Sequence, residues 1–70
     1  MSQLTRCIIS KNVKALRENY NLKREELSLA LGFDNSYISK LEHGRVNITI
    51  DRLEKIANYF NVDVYKLLQK

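Results

Sequence analysis

Lys23 to Arg45 reads KREELSLALGFDNSYISKLEHGR. Two short amphipathic segments lie in it, each closed by a glycine. Leu27 and Leu31 recur four positions apart and give the first segment an inward stripe, with Leu22 just before it. Glu25 and Glu26 fall in its first turn, where carboxylates meet the positive end of the helix dipole. Leu29 lies off the stripe and reads as a single exposed leucine. Gly32 ends the segment in a left-handed conformation that costs glycine little. Asp34 then offers a side-chain cap, and Asn35 to His43 predicts the next helix, with Ile38 and Leu41 inward and Gly44 at its close. Only Gly32, Phe33 and Asp34 separate the two helices, so they must cross sharply.

Outward from this pair the helical pattern continues. Upstream, Ile9, Val13, Leu16 and Tyr20 form one face, while Lys11, Lys14 and Glu18 lie off it. Cys7 falls nearly opposite the stripe and reads as an incidental exposed thiol. Asn19 and Asn21 mark the exit. Downstream, Arg45 to Ile48 reads as a loop. Thr49 caps a fourth helix whose inward residues are Leu53, Ile56, Ala57 and Phe60, with Asp51 in its first turn. Asp63 caps a last short helix carrying Val64, Leu67 and Leu68. Asn47 to Ile50 alternates too briefly for a strand. The expectation is an all-α fold, a five-helix bundle forming one domain over 1–70, with helices at roughly 5–20, 23–31, 35–43, 50–60 and 64–68.

Composition agrees with a helical core. The chain has 70 residues, no proline and two glycines, so little interrupts a helix. A domain this short has a thin core, because burial barely offsets about 1.5 kcal/mol of ordering entropy per residue. One cysteine excludes an internal disulfide, and one cysteine with one histidine makes a Cys/His metal site improbable. Twelve Lys and Arg against eight Asp and Glu give +4, a balance that favours a polyanionic partner. No apolar run approaches the roughly 20 residues of a membrane span, and the polar start does not resemble a signal peptide. An intracellular, cytoplasmic protein is expected.

Catalytic constellations are missing from the pattern. His43 is distant in sequence from Cys7 and reads as a helix-end residue. Ser10, Ser28, Ser36 and Ser39 have no evident base. Glu25 and Glu26 are adjacent on a helix and diverge. Two isolated glycines cannot make a phosphate-cradling loop. No enzyme, cofactor, metal or small-molecule effector is expected.

The Lys23–Arg45 segment resembles the helix-turn-helix of the lambda-repressor-like family, the Cro and xenobiotic-response-element type of bacterial and phage regulators. Leu27, Leu31, Gly32, Phe33, Ile38, Ser39, Leu41, Glu42 and Gly44 carry the resemblance. It extends through Ile9, Val13, Leu16 and Arg17 upstream and Leu53, Ile56, Ala57, Phe60 and Val62 downstream, covering about Ile9 to Leu68. Three positions depart from the pattern. Lys23 stands where a capping Ser or Thr is usual, so the cap is weaker or comes from Asn21. Arg24 stands where Gln usually touches a phosphate, and can make that contact with a full charge. Ser28 replaces the usual Ala at the tight crossing and is small enough to keep the helices close.

The resemblance implies a DNA-binding regulator whose third helix enters the major groove with its first residues at the base edges. Asn35, Ser36, Ser39 and Lys40 are then the candidates for base contact. Arg24, Tyr37, Arg45, Asn47 and Thr49 are the candidates for phosphate contact, with Tyr37 alternatively packing against the fourth helix. Arg17 and Glu42 imply a largely buried ion pair tying the first helix to the third. Double-stranded DNA and a second copy of the chain are the implied partners, with half-sites about one DNA turn, roughly 34 Å, apart. Tyr59, Val62, Tyr65 and Leu68 could form the dimer patch or complete the monomer core. Repressors of the Cro kind and restriction–modification controllers both have this length. The alternative is an antitoxin or protein-interaction module in which DNA binding is secondary, or an RNA-binding adaptor that keeps only the bundle.

Overall fold

The computed structural model describes residues 2–70; position 1 of the expected domain lies outside the described residues. Five helices follow one another: α1 Gln3–Asn19, α2 Arg24–Ala30, α3 Tyr37–Glu42, α4 Ile50–Tyr59 and α5 Val64–Leu68. No strand occurs among the described residues. α1 packs against α3 and α5, α2 against α3, and α4 against α5. The radius of gyration is 10.7 Å, close to the roughly 11 Å of a folded chain this long, so one core serves all five helices.

That core is the one the periodicity implied. Ile9 and Val13 of α1, Leu27 and Leu31 around α2, Ile38 and Leu41 of α3, Leu53, Ile56, Ala57 and Phe60 around α4, and Leu67 of α5 are all buried. Leu16, Leu22, Val46, Val62 and Val64 pack partly buried around them. Phe33 and Ile48, from the loops, are buried too. Tyr20, expected inward, remains half exposed and meets the core only edge-on, with its ring 5.1 Å from that of Phe60. It occupies the C-cap of α1, where the stripe has already turned towards solvent.

One device ends each of the first four helices. The residue after the C-cap has positive φ: Asn21 (56°), Gly32 (76°), Gly44 (69°) and Asn61 (55°). Each donates its N–H three residues back, to Glu18, Leu29, Leu41 and Asn58, at 3.0–3.1 Å. The next residue donates five back: Leu22 to Arg17, Phe33 to Ser28, Arg45 to Lys40 and Val62 to Ala57. These paired bonds satisfy carbonyls that the helix leaves open and reverse the chain. Glycine accepts the left-handed conformation without steric cost, and Asn is the side chain that tolerates it best.

Helix starts depart from expectation at α1, α3 and α5, while the weak cap expected at Lys23 is found. α1 begins at Gln3, not near Thr5, because the Ser2 hydroxyl oxygen accepts from the Thr5 N–H at 3.1 Å and caps it. Lys23 gives α2 no side-chain cap, and Asn21 does not supply one, being committed to the end of α1. Instead Glu26 reaches back, its Oε1 accepting from the Lys23 N–H at 2.8 Å. Asp63 stands at the N-cap of α5, but its side chain accepts no capping bond. α3 starts at Tyr37 rather than Asn35, because the first turn is drawn elsewhere, as described below. Thr49 does cap α4 as expected, accepting from the Arg52 N–H at 3.2 Å.

Three buried or half-buried polar side chains tie the helices together across long sequence separations. The Ser10 hydroxyl lies 2.6 Å from the carbonyl oxygens of both Arg6 and Leu41, so its single proton serves one at a time and links α1 to the end of α3. Asn12 Nδ2 donates to the carbonyls of Leu67 (2.9 Å) and Gln69 (2.7 Å), clasping the end of α5 to α1. Ser28 is fully buried, and its hydroxyl accepts from the Ile38 N–H at 3.0 Å.

Candidate nucleic-acid interface

α3 has a committed face and an open one. Ile38 and Leu41 point into the core and are 0% and 2% exposed. Asn35 and Lys40 are exposed, while Ser36 and Ser39 are half exposed. These four, expected at base edges, share the open side of the turn and helix. Ser36 is not wholly free: its hydroxyl donates to Asp34 Oδ2 at 2.7 Å. That bond, with the Ser36 backbone N–H and the nearby Lys40 charge, holds the exposed Asp34 carboxyl below its ordinary range. Toward an outside partner the Ser36 oxygen therefore presents lone pairs. The Ser39 carbonyl is occupied by His43, whose Nδ1–H donates to it at 2.7 Å, but the Ser39 hydroxyl is not.

Past α3 the exposure of the chain alternates. Arg45, Asn47 and Thr49 are exposed, while Val46 is half-buried and Ile48 buried. Period two turns three polar side chains outward on one side while two valine-like anchors hold the segment down. The Thr49 oxygen accepts the Arg52 N–H, and its hydroxyl proton stays available.

Arg24 combines two roles. Its Nε donates to Glu42 Oε1 at 3.0 Å, yet 45% of its side chain is exposed. The expected Arg17–Glu42 pair is present and bidentate. Arg17 Nε donates to Glu42 Oε2 at 2.6 Å and Nη2 to Oε1 at 3.1 Å, while Nη1 donates to the Leu22 carbonyl at 2.7 Å. The Glu42 side chain is 2% exposed and that of Arg17 9%. Burial alone would push the Glu42 carboxyl up; the bonds from Arg17 and Arg24 outweigh it and hold it below the usual range. The bond to Glu42 likewise raises the Arg17 guanidinium, against the opposing effect of burial.

Tyr37 sits differently from a surface phosphate donor. It is 9% exposed, with its ring 4.9 Å from Phe33 edge-on and under the Arg52 guanidinium of α4 at 4.6 Å. Its ring is thus held between Phe33 and the Arg52 side chain of α4. Arg52 also lies 4.8 Å from the Phe33 ring, and Lys55 Nζ 5.5 Å from it. Both cations are exposed and have no carboxylate within 4.0 Å among the described residues. Sequence reading missed them as neighbours of α3. The only available signal was the aromatic pair Phe33 and Tyr37, whose faces attract a cation.

Of the four patch candidates, Tyr59, Tyr65 and Leu68 are 44%, 55% and 43% exposed. Val62 differs, being partly buried against the core, because it is the residue that closes the end of α4. No three His, Cys, Asp or Glu side chains converge on a metal-sized site among the described residues, and no helix among them is long and apolar enough to cross a membrane.

The helix-turn-helix family model matches residues 13–67. The chain is 35% identical to the Neisseria hypothetical transcription factor of Neisseria meningitidis serogroup B, over 90% of this chain and 59% of that protein. It thus spans about three-fifths of that relative's length. It is 33% identical to the control protein C.SmaI of Serratia marcescens, over 90% of this chain and 75% of that one. The crystal structure of the hypothetical transcription factor NHTF from Neisseria superposes with a TM-score of 0.89 at 31% identity, covering 99% of this chain and 80% of that chain.

Proposed function

The chain belongs to the lambda-repressor-like helix-turn-helix family, and from that premise we propose that it is a sequence-specific DNA-binding transcriptional regulator. The observation that carries the reading is α3 itself. One side is sealed in the core, and the other, with the turn that precedes it, presents Asn35, Ser36, Ser39 and Lys40 between cations at Arg24 and Arg45. A helix of this kind fits the major groove, where Asn can pair bidentately with adenine and Lys can reach guanine acceptors. Arg24, Arg45, Asn47 and Thr49 grip the backbone on either side, and the start of α4 adds its partial positive charge. Tyr37 contributes at most its hydroxyl, its ring being held by Phe33 and Arg52. The setting is cytoplasmic, on nucleoid DNA, and the whole chain works as one domain without catalysis or cofactor.

A single reading helix covers only a few base pairs, so the protein works as a homodimer on a two-fold site. Tyr59, Tyr65 and Leu68 are the surface offered for pairing. Selection of bound sequences from random duplex DNA tests the reading. The expected product is a two-fold motif with half-sites about one helical turn apart. Recovery of no motif from the wild-type protein would refute sequence-specific binding.

A further inference from the structure

The first turn of α3 is not built as its sequence suggests. Asn35 and Ser36 form a turn, and regular helix begins only at Tyr37. The hydrogen bonds give the reason. In an ordinary α-helical turn the Asp34 carbonyl would accept from Ile38, four residues on. Here it accepts from Tyr37, three residues on, at 2.9 Å. The Ile38 N–H goes instead to the hydroxyl of Ser28, 3.0 Å away on α2. Ser36, at the N-cap, supplies no capping bond, because its hydroxyl is turned to Asp34. Ser28 is 0% exposed and lies at the crossing of the two helices, so its oxygen cannot meet DNA.

We propose that Ser28 is a specificity-determining residue that never touches DNA: by holding the Ile38 amide it keeps Asn35 and Ser36 in a tight turn and so sets the angle at which they meet base edges. Replacing Ser28 with Ala, whose side chain has no acceptor, releases that amide to the Asp34 carbonyl. The turn then winds into α-helix and swings Asn35 and Ser36 around the helix axis. Ser28 acts as a positioning residue, and the inference rests on the reading of α3 as the DNA-contacting helix.

Two measurements on the full chain test it, with Ser28→Ala and the nearly isosteric Ser28→Cys, a weak acceptor that keeps the crossing filled. The first is the backbone Cα chemical shift of Asn35 and Ser36 in the free protein, which moves toward helical values in both variants. The second is the ratio of binding to the selected site over random duplex at one salt concentration. That ratio falls by roughly two- to tenfold, the worth of one hydrogen bond, while binding to random duplex stays the same. A purely structural role would lower stability without moving that ratio. Unmoved Asn35 and Ser36 shifts in a folded variant overturn the proposal, as does an unchanged ratio. If Ala unfolds the domain, Cys carries both measurements. Should the wild type select no sequence, the DNA reading fails and the specificity role with it; moved shifts would then still establish Ser28 as the anchor of the turn.

Discussion

Glu42→Ala removes the one carboxylate shared by Arg17 and Arg24, and the two arginines lose unequally. Arg24 is 45% exposed, so solvent takes over its bond and its share of the loss is about 0–1 kcal/mol. Arg17 is 9% exposed and keeps the Leu22 carbonyl and a 3.9 Å contact with the Glu18 carboxylate, which is 59% exposed and screened by solvent, so the buried charge loses its one close counter-ion. Breaking such a pair from one side costs about 3–5 kcal/mol. A 70-residue domain has roughly 4–10 kcal/mol in all at 0.05–0.15 per residue. The variant should therefore be partly unfolded at room temperature. In urea, with a slope of about 1 kcal/mol/M for a small domain, its midpoint should fall by about 3 M or more. The double replacement Arg17→Met with Glu42→Leu removes both charges and should recover most of that loss. Acid gives an independent check. The folded Glu42 carboxyl titrates below its unfolded value of about 4.3, so its contribution is complete above that pH and disappears as the pH falls through the lower, folded value. A Glu42→Ala protein with an unshifted urea midpoint would refute the assignment of this pair as the tie between α1 and α3.

Other perturbations separate base reading, backbone grip, the α5 clasp and pairing. Asn35→Ala and Lys40→Ala should change the selected motif, each costing about 1–3 kcal/mol at one base position, as read by binding to single-base variants of the site. Arg45→Ala should weaken all duplexes alike and reduce the slope of log affinity against log salt by about 1; a motif change instead would make Arg45 a base reader. Asn12→Ala leaves the Leu67 and Gln69 carbonyls unclaimed and should cost about 1–3 kcal/mol by thermal denaturation, with α5 amides losing hydrogen-exchange protection before the rest. Tyr65→Glu places a charge in the exposed patch with Tyr59 and Leu68; sedimentation should show it monomeric at concentrations where the wild type is dimeric, and an unaltered dimer would put the contact elsewhere.

The core was legible because it is periodic. Ile9, Val13, Leu27, Leu31, Ile38, Leu41, Leu53, Ile56 and Phe60 are where the 3.6-residue repeat puts them. Gly32 and Gly44 were legible as helix ends because glycine has a conformational meaning of its own, and Asn61 was not singled out because asparagine has several. The Arg17–Glu42 pair was legible only through resemblance, since 25 positions separate its members. Ser10, Asn12 and Ser28 were opaque: their partners lie 31, 55 and 10 positions away, and nothing local in the chain marks a serine or asparagine for a distant backbone group. The start of α3 went astray for the same reason, as Asn35 and Ser36 are locally compatible with helix while the Ile38 N–H is taken by the Ser28 oxygen of another helix. Arg52 escaped because its aromatic partners come from another element.

The Asn12 clasp lies next to a shallow groove of about 280 Å³ in which Leu4, Cys7, Ile8 and Lys11 face Gln69 and Lys70. Cys7 is exposed and is the chain's sole cysteine. A polarity-sensitive dye coupled to that thiol would sit against Gln69 and Lys70. Its emission would then report, without further engineering, each moment at which the residues after α5 lift away from α1.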